Sequence, residues 1–209
     1  MTIKDIDLKI ADGSRVFFTS DTHWNHAKIM EYCSRPFKTV EEMNETMIKN
    51  WNDCVSQEDY IFHLGDFAYG GSAVWLNVLP RLNGHKYLIV GNHDRQNWRK
   101  NYGDWFDYVS YQMFIAVEDK KILLSHLPYL CFPHSYKDKE SYWNLHGHVH
   151  SGKYRLPEYM DPDIDRITKL CFPTQYDVGV DNNDFKPVSF YEVKDIIEKK
   201  QNKELDGKR

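Results

Sequence analysis

The stretch Leu145-His146-Gly147-His148-Val149-His150-Ser151-Gly152 puts three histidines on alternate positions of a chain that holds ten. In an extended segment, residues two apart point to the same side. The spacing therefore aims several imidazoles at one point. A metal ion would explain that arrangement, since histidine is the commonest metal ligand. A solvated strand face rich in histidine has the same local pattern, so the rest of the chain has to decide.

Upstream, the same kind of junction recurs. VFFTS, 16–20, runs into Asp21-Thr22-His23, and YIFHL, 60–64, into Gly65-Asp66. YLIV, 87–90, runs into Gly91-Asn92-His93-Asp94, and ILLS, 122–125, into His126. WNLHG, 143–147, runs into His148-Val149-His150. Five apolar runs thus end in residues that can bind metal. In an open α/β sheet, ligands bind beyond the carboxyl ends of the strands. The five polar clusters are expected to meet along one edge. Gly65, Gly91 and Gly147 stand directly before Asp66, Asn92 and His148. Glycine lets a chain turn sharply there and come close to a ligand.

Between these junctions, Thr39–Ser56 has apolar residues at near-helical spacing, and Ala73–Leu82 reads as a helix interrupted near Pro80. Gln112–Val117 and Val188–Val193 are further strand candidates, and Val193–Lys203 reads as a C-terminal helix. Alternating strands and helical stretches indicate a mixed α/β protein. The chain of 209 residues suits one domain with one sizeable core, 1–209. Residues 151–176, with several prolines and the run DPDID, are expected to form a lid or surface excursion, and 201–209 a loose tail.

A net charge of −4 argues against a surface built to grip long nucleic acid, which needs clustered Lys and Arg. It leaves room for a small anion drawn to a local positive site. The start MTIKDIDLKIADGS has no apolar signal-peptide core, and no apolar run approaches the ~18 residues of a membrane span. A cytoplasmic protein with no membrane contact is expected. Cys33, Cys54, Cys131 and Cys171 form no CxxC pair and read as reduced, inert thiols.

The ordered set DTH (21–23), GD (65–66), GNHD (91–94), His126 and GHVH (147–150) resembles the five motifs of the calcineurin-like metallophosphoesterase superfamily. The start Asp21-Thr22-His23-Trp24-Asn25-His26 is most similar to the small stand-alone members of bacteria and bacteriophage. The resemblance implies a four-layer α/β/β/α sandwich and two metal ions. One would be held by Asp21, His23 and His150, the other by Asn92, His126 and His148, with Asp66 bridging. It further implies that His93, oriented by Asp94, faces the substrate and assists the leaving group while a metal-bridging hydroxide attacks phosphorus.

Imidazoles, carboxylates and an amide oxygen without thiolate suit divalent transition metals, manganese first, with iron, zinc, nickel or cobalt as alternatives. His26 and Arg95 are candidate substrate contacts. His146 reads as packing behind the ligands, His63 as a satisfied core histidine, and Asp181 as a minor structural residue. Arg35 is placed near the entrance, and Trp24, Tyr129, Phe132 and Trp143 as pocket wall or core. The expected activity is phosphate-ester hydrolysis, more a diesterase than a monoesterase. The substrate class is a small phosphate ester, a nucleotide, a cyclic nucleotide or a nucleic-acid end. A phosphomonoesterase or phosphoprotein phosphatase is the alternative, with a non-catalytic metal-binding scaffold behind it. No protein partner can be inferred from the sequence.

Overall fold

Ten strands form two sheets of five in the structure, a computed structural model that describes residues 8–94, 103–132, 141–152, 166 and 169–206. The strands are β1 (Leu8–Ile10), β2 (Val16–Thr19), β3 (Tyr60–His63), β4 (His85–Ile89), β5 (Tyr108–Ser110) and β6 (Gln112–Val117). They continue with β7 (Lys120–Ser125), β8 (Tyr142–His146), β9 (Gln175–Asp177) and β10 (Val188–Ser189). The first sheet runs β10-β2-β3-β4-β5 and the second β1-β6-β7-β8-β9. All neighbours pair in parallel except β10 with β2 and β6 with β7.

Alternation along each strand divides the core. In β2, Val16 and Phe18 enter the core between the sheets, while Phe17 faces the helical side. In β3, Phe62 enters the inter-sheet core and Ile61 the helical one. This period of two is what a strand buried on both faces requires. Ile115, Ile122, Leu124 and Leu145 of the second sheet meet Phe18, Phe62 and Ile89 of the first.

The helical side is covered by α1 (Ala27–Tyr32), α2 (Val40–Cys54) and α3 (Ser72–Val78). In α2, Met43, Met47, Ile48 and Trp51 lie on one stripe and are buried, each worth ~1.5–3 kcal/mol. Thr39 caps the helix by accepting the Glu42 N–H at 3.1 Å, and Glu42 reaches back to the Lys38 N–H at 2.8 Å. As the sequence suggested near Pro80, α3 gives way to a 3-10 turn, Leu79–Arg81.

The last helix, α4 (Phe190–Asp206), adds Phe190, Val193 and Ile197 to the inter-sheet core. Val188–Val193 is not a strand beyond Ser189, because α4 begins at Phe190. Ser189 and Glu192 form a capping box: Ser189 Oγ accepts the Glu192 N–H, and the Glu192 carboxylate accepts the Ser189 N–H. The helix also runs past Lys203 to Asp206, into the stretch expected to be loose. The short elements α1, β1, β5 and β9 had no clear sequence pattern.

As expected, the fold is mixed α/β: two parallel-rich sheets lie face to face, α1–α3 cover the outer side of the first, and α4 contributes to the core between them. On the outer face of the second sheet the described residues place a small cluster, Leu123, Phe132 and Tyr142. Most of 151–176 lies outside the described residues, and its end belongs to β9. Among the described residues, no helix is long and apolar enough to cross a membrane.

Candidate metal centre

The five junctions converge. Asp21, Asp66 and Asn92 follow β2, β3 and β4, adjacent parallel strands of the first sheet. His126 and the His148–His150 pair follow β7 and β8, adjacent parallel strands of the second. The loops are sewn together: Asp21 donates its N–H to Gly65 O at 2.9 Å, and His23 to Asp66 O at 3.0 Å. His148 donates its N–H to Asp21 Oδ2 at 2.9 Å, which joins the two sheets.

Close approach explains the glycines. A Cβ at Gly91 would collide with Asp66 Oδ1, and one at Gly147 with Ser20 Oγ and Asp21 Oδ2. The backbone is also strained. Asp21, His23, Asp66, His148 and His150 have φ of 56°, 49°, 55°, 69° and 46°. Left-handed conformations are uncommon for residues with a Cβ and collect at functional sites.

Two groups of side chains offer ligand atoms within 4.8 Å of one another: Asp21, His23 and His150, and Asp66, His126 and His148. Asp66 Oδ2 lies 3.7 Å from His23 Nε2 and 3.5 Å from His126 Nε2, so it faces both groups. His150 Nε2 is 3.6 Å from Asp21 Oδ1. Asn92 Oδ1 is 2.9 Å from His126 Nε2. The structure thus brings together all seven residues that the motifs single out.

Their chemistry fits metal ions. Asp21 Oδ1 and His23 Nε2 are buried and have no hydrogen-bond partner among the described residues. Such orphans are costly unless a cation satisfies them. His126 Nδ1 donates to Leu64 O at 2.8 Å, so a neutral ring presents a lone pair at Nε2. Asn92 Oδ1 opposite is also an acceptor, and two facing acceptors require a proton or a cation beside them.

The electrostatics agree. Burial pushes the Asp21 carboxyl up to about 6. Burial opposes a charge on His126, yet Asp66 and Asp21 outweigh it and push the pKa up to about 9. Burial lowers His23 well below the ordinary histidine range and His148 to about 4, which leaves both as neutral donors.

Three expectations change. Asp94 does not orient His93. Its Oδ2 accepts the N–H groups of Asp66 and Gly91, and its Oδ1 that of Phe67, so it fastens the GD turn to the GNHD turn. Arg35 is not at an entrance but buried, with a bidentate pair to Asp181. Asp181 in turn accepts His150 Nδ1–H at 2.7 Å, a role beyond minor structure. Partners 146 residues apart left no mark in the sequence. Cys33 Sγ stands 3.4 Å from the same nitrogen, so one thiol does border the centre.

The other candidates fall into place. His93 is partly exposed, with Nε2 4.0 Å from Asp66 Oδ2. His26 stacks on Tyr69 at 4.1 Å and lies beside His23, their Nδ1 atoms 3.4 Å apart. Arg95 lies outside the described residues. His63 is the satisfied core histidine expected, bonded to Thr22 Oγ1 and the Gly65 N–H. His146 is buried behind the ligand loop, with Nδ1 3.2 Å from Gly147 O. Trp24, Phe132 and Trp143 are core. A cavity of about 380 Å³ opens over the centre, lined by ligand residues and His93 on one side. On the other, α1 and its two cap residues supply His26, Ile29, Tyr32 and Cys33.

Comparison with known proteins points the same way. The family model of calcineurin-like phosphoesterases matches residues 14–191. An uncharacterized protein of Methanocaldococcus jannaschii is 36% identical over 187 residues, covering 88% of this chain and 92% of that protein. The gene 66 protein of Mycobacterium phage D29 is 30% identical over 209 residues, covering 88% of this chain and 96% of that protein. The crystal structure of a protein of unknown function from Aquifex aeolicus superposes with a TM-score of 0.65 at 25% identity, covering 87% of this chain and 98% of that one. With its five motif junctions gathered at one centre, the chain belongs to the calcineurin-like phosphoesterase family and is a metal-dependent phosphoester hydrolase.

Proposed function

We propose that the chain is a phosphodiesterase with a two-metal centre, acting on a nucleotide, a cyclic nucleotide or a nucleic-acid end. The observation that carries the two-metal reading is the position of Asp66 Oδ2, which faces His23 on one side and His126 on the other. Asp21, His23 and His150 would hold one ion, and Asn92, His126 and His148 the other, with Asp66 shared. The ligand set suits manganese, iron, zinc, nickel or cobalt, and manganese is the first choice. When bound, such ions supply Lewis-acid charge that activates water and attracts phosphate oxygens.

The chain's own residues do the rest. His93 Nε2 sits over the shared carboxylate on the cavity side, where it can hand a proton to the departing oxygen. Neutral His23 and His148 remain lone-pair donors at neutral pH. One feature favours a diester. The α1 wall of Ile29, Tyr32 and Cys33 offers an apolar side for the ester's second organic arm.

The test is metal-free protein reloaded with Mn²⁺, Ni²⁺, Zn²⁺ or Mg²⁺ and given bis-p-nitrophenyl phosphate and p-nitrophenyl phosphate. The diester should be hydrolysed faster. A clear preference for the monoester would overturn the diester reading in favour of a phosphatase.

A further inference from the structure

We infer that Arg35 and Asp181 are positioning residues for one metal position only, the one formed by Asp21, His23 and His150. The inference rests on the two-metal reading above. A single guanidinium holds one ligand of that position, Asp21, directly and a second, His150, through Asp181. Its Nε and one terminal nitrogen grip Asp181 Oδ1 at 2.8 Å and Oδ2 at 2.9 Å. Asp181 Oδ2 accepts His150 Nδ1–H at 2.7 Å. The same terminal nitrogen donates to the carbonyl of Asp21 at 2.7 Å, and the other to that of Thr22 at 3.0 Å. Asp21 is one of the left-handed residues, so the guanidinium pins a carbonyl whose orientation is strained.

The consequence for His150 is chemical as well as steric. With Nδ1–H committed to a carboxylate, the ring is held as one tautomer and Nε2 carries the lone pair, aimed toward Asp21 Oδ1 at 3.6 Å. A carboxylate behind a ligating histidine makes it a better donor and fixes its angle. The guanidinium side chain is fully buried, and only a planar fork can serve both carboxylate oxygens and two carbonyls at once. Neither Arg35 nor Asp181 has a hydrogen bond to Asp66, His126 or His148 among the described residues.

Cys33, His150 and Asp181 also lie close enough to suggest a cation of their own. The geometry speaks against it. Both Asp181 oxygens are already occupied by a positive guanidinium at under 3 Å, which would repel a second cation. The Nδ1 side of His150 is the supporting side.

The experiment titrates metal-free protein with Mn²⁺ by calorimetry and counts bound metal by mass spectrometry. The unmodified protein should bind two ions. Asp181→Asn should weaken one position ~10–100-fold and leave the other unchanged. The double variant Arg35→Met with Asp181→Asn removes the buried charge pair together, which guards against unfolding caused by a lone buried charge. It should show the same selective loss, and Arg35→Lys should fall between. Fewer than two ions on the unmodified protein would sink the two-metal reading itself. Two ions there, with folded variants that lose neither or both equally, would overturn the positioning role alone. Nitrogen NMR of the unmodified protein loaded with Zn²⁺ decides the matter if the variants fail to fold. His150 should keep its proton on Nδ1 and bind through Nε2, and binding through Nδ1 would overturn the inference.

Discussion

The Asp94 carboxylate accepts the backbone N–H of Asp66 at 2.8 Å through an oxygen that also accepts the Gly91 N–H at 2.9 Å. Two motif turns are therefore held at their fixed separation by one buried side chain. Asp94→Asn exchanges an accepting oxygen for a donating NH₂ and leaves at least one buried N–H unpaired, at a cost of ~1–3 kcal/mol. Urea unfolding should show that loss, and metal affinity should fall with it. His93→Ala, at an exposed ring, should leave stability unchanged. Equal stability of the two variants would return Asp94 to a role behind His93.

His93→Ala should retain its metal and slow turnover by ~10²–10⁴-fold on substrates with alkoxide leaving groups. The defect should be smaller with p-nitrophenolate, which leaves without a proton. Steady-state rates on a dinucleotide and on bis-p-nitrophenyl phosphate make the comparison. An equal defect on both would count against proton donation.

Asp66→Asn should weaken both metal positions, because its Oδ2 faces ligands of each. Asn92→Ala should weaken only one. Metal counts on the two purified variants distinguish shared from private ligands.

Gly147→Ala should be damaging although alanine is small. The added Cβ would strike Ser20 and the Asp21 carboxylate, and overpacking of this kind costs ~1–3 kcal/mol. Thermal melts of the metal-free variant should show the loss, and its metal titration should be weaker than that of the parent. Normal values for both would mean that the GHVH loop has slack.

His63 predicts a pH dependence. Burial pushes its pKa down to about 3, below the ~6.5 of an unfolded histidine. The unfolded chain therefore takes up the proton first. The stabilising contribution is complete above pH 6.5 and is lost as pH falls toward 3. From pH 7 to pH 5 this one residue should cost ~2 kcal/mol. His63→Gln should remove that part of the slope in denaturant titrations of metal-free protein. An unchanged slope would show that His63 is protonated in the fold.

The seven ligands were legible because they cluster at the ends of five strands, so five short windows of sequence contained them. The strands β2, β3, β6 and β7 were legible as apolar runs, and the helix α2 through its near-helical apolar spacing. What supports the ligands was not. Asp94 serves residues 27 and 28 positions away, and Arg35 meets Asp181 across 146. No local period encodes such pairs. The start of α4 is a different case, because Ser189-Phe190-Tyr191-Glu192 carries the capping-box pattern in plain view. The apolar residues Val188, Phe190 and Val193 suggested a strand instead.

Five side chains of the centre stand on left-handed backbone at ~1 kcal/mol or more apiece. Glycine would adopt each of those angles freely. A lineage that had abandoned its chemistry would thus be rewarded for erasing the very residues that define it. At Asp21, His23, Asp66, His148 and His150 the side chain that the centre needs and the residue that would relax the backbone are therefore in conflict, and the centre is built at the expense of how firmly the fold stands.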